Sequence, residues 1–136
     1  MDGQARLDYP GGARLRRALR HLEVRTQEVC RAHGLSTDQY LLLLAIKGAP
    51  GGAESASISE LSEWLQLAHN GVAERVRRAE NAGLVTRERT DEDRRVTRVR
   101  LTTDADRRLS GAYRALGEEI DHLYAHLPEL PLDGTS

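Results

Sequence analysis

The sequence predicts a mainly α-helical chain with one small β-hairpin, and three observations carry that expectation. Apolar residues recur at three- and four-residue steps over most of the chain. Strict alternation, the strand period, is confined to two short segments, "LVTRER" and "VTRVRL". Capping and stop residues stand where the helical patterns begin and end. A length of 136 residues, 39% hydrophobic and 30% charged, suits one domain able to bury its own core.

The first helical pattern covers residues 13–33, with Leu15, Leu19, Leu22, Thr26 and Val29 on one stripe, Arg14, Arg16, Arg17, Arg20 and Arg25 between them, and Gly34 placed to stop the helix. The second opens at Ser36, where Gln39 completes a capping box, and residues 40–46 are apolar nearly all round, which predicts a buried helix. "GAPGGAESAS" reads as a flexible connection. Ser59 and Glu60 then start a short helix whose Leu61, Trp64, Leu65 and Leu67 are expected to face inward. After a three-residue turn, "AHNGVAERVRRAENAG" puts Val72, Val76 and Ala79 on one face, leaves His69, Asn70, Ala73, Glu74, Arg77 and Arg78 on others, and stops at Gly83. Two short helices joined this tightly are a helix-turn-helix candidate. The alternating segments flank "TDEDRR", which lacks Asn-Gly and implies a longer hairpin loop. Thr103, Asp104 and Asp106 start the last helix, whose Ala105, Leu109, Ala112, Leu116, Ile120, Leu123 and Leu127 form a heptad stripe ended by Pro128.

The net charge of -1 hides uneven blocks. Residues 69–108 carry eleven arginines against eight acids and residues 1–33 seven against four, whereas 34–68 and 109–136 are net acidic. The arginine-rich middle is the part expected to meet a polyanion. A single cysteine, Cys30, excludes an internal disulfide and a cysteine-based zinc finger. With no leader pattern and no membrane-length apolar run, the chain is expected to be cytoplasmic with no membrane partner. It has no Gly-rich phosphate loop, serine elbow or paired catalytic carboxylates in a recognisable frame, so neither an enzyme nor a cofactor is expected.

Helix, helix, short helix, turn, basic helix, charged hairpin, long helix is the layout of a winged helix-turn-helix. "GLSTDQYLLLLAI", "ISELSEWLQLAHNGVAERVRRAENAGLVTRE" and "DRRVTRVRLT" resemble the successive signature blocks of the MarR family of bacterial transcription regulators, over roughly residues 13–127. The resemblance implies a homodimer paired through residues 13–33 and 103–127, with a DNA-binding lobe over 34–102; residues 1–12 and 128–136 are expected to be flexible ends. It implies a repressor that binds a palindromic operator in double-stranded DNA and leaves it on a small-molecule or oxidant signal.

By position, the resemblance puts His69, Asn70, Ala73, Glu74 and Arg77 in the major groove, with Arg78 beside them. In the wing, Arg95 matches the minor-groove arginine, Asp93 the carboxylate that orients it, and Arg94 lies between. A narrow minor groove attracts an inserted guanidinium, and phosphates hold flanking arginines, which makes Arg87, Arg89, Arg98 and Arg100 the phosphate set. Other readings stand beside these. The hairpin also reads as a solvated edge, because Asp91, Glu92 and Asp93 outnumber Arg94 and Arg95. His69 and Asn70 also read as caps or solvated residues, although asparagine can recognise adenine. The alternative function is a winged helix used as a protein-interaction module.

Three departures from the family pattern matter: Ala105 replaces the usual glycine, Arg75 an apolar residue, and the second C-terminal dimer helix of many members is short or absent. For an effector, Arg16, Arg20, His33 and Tyr40 are the pocket candidates by position, each also open to a structural role. Cys30 is an oxidant-sensing candidate if Arg31 or His33 lowers its pKa, against the reading of an inert buried thiol. His122 and His126 have the spacing of two metal ligands on one helix, with no third ligand identifiable.

Overall fold

Residues 7–89 and 96–125 are described by the computed structural model. Among them, α1 (Tyr9–Ala32) starts earlier than residue 13, because Asp8 Oδ1 accepts from the Gly11 N–H at 2.9 Å and Pro10 occupies the first turn, where its missing N–H costs nothing. Gly34 follows with φ +72, the left-handed stop the sequence predicts. The α1 stripe is only partly covered: Thr26 and Val29 are buried, but Leu15 is 51% exposed.

Helix α2 (Thr37–Lys47) is the centre of the core, with Tyr40, Leu42, Leu43, Ala45 and Ile46 buried. Its capping box is complete: the Gln39 N–H donates to Ser36 Oγ at 3.1 Å, and the Ser36 N–H to Gln39 Oε1 at 2.9 Å. The connection after α2 is not all loop. Ser55–Ser57 form strand β1, antiparallel to β3, so the expected hairpin is a three-stranded sheet. Helix α3 (Ile58–Leu65) is capped by Ser57, two residues before the expected Ser59, with Glu60 completing the box. Leu61 is buried and Leu65 and Leu67 pack on the core, but Trp64 points outward, 49% exposed.

The turn into α4 (His69–Asn81) is held by the Ser62 hydroxyl, which donates to the Leu67 carbonyl at 2.6 Å. Val72, Val76 and Ala79 are buried as the periodicity predicts. After Gly83, at φ +76, β2 (Val85–Arg89) and β3 (Thr97–Leu101) pair antiparallel with Val85 opposite Leu101, giving the order β1-β3-β2. Val99 on the central strand is fully buried.

The Thr102 hydroxyl caps α5 (Thr103–Ala115), which buries Ala105, Leu109 and Ala112. The expected long terminal helix is broken: Leu116 leaves helical backbone at φ -95, ψ 6, and α6 (Gly117–Tyr124) begins at the next residue. Leu127 and Pro128 lie outside the described residues. No described helix is long and apolar enough to cross a membrane.

Candidate nucleic-acid interface

Burying Val72, Val76 and Ala79 fixes which way the rest of α4 looks. His69, Asn70, Arg77 and Arg78 are exposed, and Ala73 and Glu74 are half-buried between them. Unlike α2 and α3, α4 has no side-chain cap, since Ala68 stands at the capping position. Its first-turn N–H groups therefore lack a capping oxygen beside His69 and Asn70, an arrangement that suits an anion.

The charges on this face are already engaged. Arg77 Nε donates to Glu74 Oε2 at 3.0 Å and Arg77 Nη2 to Oε1 at 2.5 Å, while Arg78 Nε reaches Oε1 at 3.2 Å. The Arg77 donors hold the Glu74 carboxyl below the usual range, and Glu74 in turn raises Arg77. Arg75, the departure from the family's apolar residue, is half-buried and pairs with Asp38 at 3.5 Å.

The expected phosphate set divides. Arg98 turns into the fold: Nε donates to Ser55 Oγ at 3.2 Å, Nη2 to the Ser55 carbonyl at 2.8 Å and Nη1 to Glu60 Oε1 at 2.5 Å. It is a clamp between β3, β1 and α3, not an outward phosphate contact. Arg100 is likewise tied, to the Ala53 carbonyl at 3.0 Å and to Glu88 at 3.6 Å. Arg87 pairs with Glu80 at 3.2 Å and stays exposed, as does Arg89 at the end of β2. Asp93, Arg94 and Arg95 lie outside the described residues.

The effector candidates sit in different surroundings. Tyr40 is buried and its hydroxyl is pushed up to about 12, chiefly by desolvation. His33 Nδ1 donates to the Val29 carbonyl at 3.0 Å, and Arg20 pairs with Glu23 on the surface. Arg16 is exposed. Cys30 is fully buried and burial raises its thiol, the reverse of the lowered pKa that oxidant sensing needs. No group of three or more metal-ligating side chains occurs among the described residues; His126 lies outside them. Sequence reasoning missed a cleft of about 650 Å³ between α1 and α6, with Leu15, Ala18, Leu22 and Leu123 on its apolar wall and His21 and His122 at its polar margin. The uncovered Leu15 end of the α1 stripe was its available signal.

The model of the MarR family matches residues 33–96, the segment holding the core helix, the helix-turn-helix and the first part of the wing. That segment, just under half of the chain, is therefore similar to the MarR family in sequence. No curated protein sequence matches the chain. Among solved structures, the apo form of MarR from E. coli has a TM-score of 0.69 at 17% identity, over 93% of this chain and 89% of that one. A transcriptional regulator from Thermotoga maritima has a TM-score of 0.65 at 23% identity, over 90% and 83%. A mutant E. coli MarR complexed with operator DNA has a TM-score of 0.67 at 19% identity, over 89% and 84%. These likenesses extend the shared fold beyond the matched MarR segment to the flanking helices.

Proposed function

We propose that this protein is a MarR-family regulator, a cytoplasmic repressor that binds a palindromic operator in double-stranded DNA as a homodimer. The observation that carries the reading is the exposed face of α4. Asn70, Arg77 and Arg78 stand outward opposite a fully buried Val72 and Val76, and the preceding short helix and tight turn hold that face proud of the core. The operator complex of the similar E. coli protein supports the same use of the fold. In this reading His69, Asn70, Ala73, Glu74 and Arg77 face the major groove and Arg78, Arg87 and Arg89 lie over phosphates, while Asp93, Arg94 and Arg95, outside the described residues, are the minor-groove candidates that the family resemblance implies. The half-covered α1 stripe and the open α1–α6 cleft support pairing of two copies through the terminal helices. A small molecule is the favoured releasing signal, because Cys30 is buried.

A protein-interaction module is the second reading, favoured by the acids that neutralise Arg77, Arg98 and Arg100. Selection from a random duplex pool at physiological salt separates the two. The DNA-binding reading expects an inverted repeat with half-site centres about 10 bp apart; absence of an enriched motif would favour the protein partner.

A further inference from the structure

The pairing of Glu74 on α4 has a consequence that rests on the DNA-binding reading and sharpens it. A duplex offers one phosphate charge about every 1.7 Å, so an unengaged guanidinium on the approaching surface grips any sequence. Here one carboxylate holds two of them. Both Glu74 oxygens accept from Arg77, at 3.0 and 2.5 Å, in the forked geometry that makes such pairs specific, and Oε1 also accepts from Arg78 at 3.2 Å. The arginine side chains are 56% and 72% exposed, so the pairs are weak enough to be exchanged. They are also one turn apart on the same helix, so Glu74 is always at hand to recapture them.

We propose that Glu74 is a specificity-determining residue that withholds Arg77 and Arg78 from the phosphates of random sequence and yields them where the groove offers better partners. Against random DNA, the phosphates must displace a carboxylate that the backbone itself repels. In an operator, paired acceptors on a guanine edge replace Glu74 for Arg77, and a cytosine amino group can satisfy the carboxylate left behind. The exchange is near balance in one case and unfavourable in the other, which widens the ratio between specific and non-specific binding.

The test compares wild type, Glu74→Gln and a charge-matched control, Glu23→Gln, whose exposed pair with Arg20 lies on α1. Each is titrated across a salt series with a random-sequence duplex and with the duplex enriched by selection. Glu74→Gln is expected to tighten random-duplex binding by about 3- to 10-fold and to steepen its salt slope by about 1, one further phosphate contact, while operator binding gains less. The control should match wild type. Unchanged random-duplex affinity and slope in Glu74→Gln, or equal gains on both duplexes or in both variants, would overturn the inference while leaving DNA binding intact. Failure of all three proteins to bind either duplex would overturn the DNA-binding reading, and this inference with it.

Discussion

Arg98 on β3 reaches Glu60 in the first turn of α3, with 2.5 Å between Nη1 and Oε1, and the same guanidinium holds the oxygens of Ser55. The returning wing strand is thereby bolted to the helix that packs against α4. Arg98→Ala removes three donors from partners in a part-buried site, so it should cost about 1–3 kcal/mol in urea unfolding. An unchanged midpoint would mean that the sheet pairing alone holds the strand.

Glu60 makes the same junction sensitive to acid. The Ser57 N–H first, then Arg98, hold its carboxyl below the usual glutamate range, so the folded state favours the charged form. The resulting stability is present above the unfolded value and is lost as pH falls through the lower folded one. Urea unfolding at descending pH should therefore fall more steeply below about pH 4.5 in wild type than in Glu60→Gln, which keeps the capping-box acceptor. Parallel curves for the two proteins would contradict this.

Parts of the fold legible in the sequence are those decided by near neighbours. The Ser36–Gln39 box, the left-handed stops at Gly34 and Gly83 and the inward face of α4 all follow from spacings of a few residues. Strand β1 was not legible because Ser55, Ala56 and Ser57 are small residues in a Gly- and Ala-rich run whose partners, Arg98 to Arg100, are far along the chain. The same distance hid the role of Arg98: a charge pattern shows an arginine on a strand, but not the carboxylate that captures it. In the terminal segment the heptad stripe is real through Leu116, but Gly117, a poor helix former, marks the break that the apolar spacing conceals.

Leu61 and Trp64 test the orientation of α3, which the amphipathic pattern read only in part. Leu61 is 1% exposed, and Leu61→Ala should cost about 2–5 kcal/mol of unfolding free energy. Trp64→Ala, at a half-exposed site, should cost less. The reverse order would place Trp64 against a surface that buries it.

Cys30 should be inert in the folded protein, since burial both shields the thiol and raises its pKa. Alkylation is expected to be slow in native buffer and rapid in denaturant, and mild oxidant should leave duplex binding unchanged. Rapid native labelling, or release of DNA by oxidant, would restore the redox reading.

Asn70 is exposed in the first turn of α4, on the face proposed to meet the major groove. Asn70→Ala should alter preference at defined operator positions, with a cost of about 1–3 kcal/mol on a site containing the favoured base. A uniform loss over all duplexes would reassign Asn70 to phosphate positioning.

The most direct measurement of the central claim is titration of the protein into two duplexes, one bearing the selected inverted repeat and one with a single half-site scrambled, with stoichiometry read by light scattering. A homodimeric regulator predicts two protomers on the intact repeat and a large loss of affinity when one half is scrambled. One protomer per duplex, or equal affinity for both, would contradict recognition of a palindrome by paired winged helices.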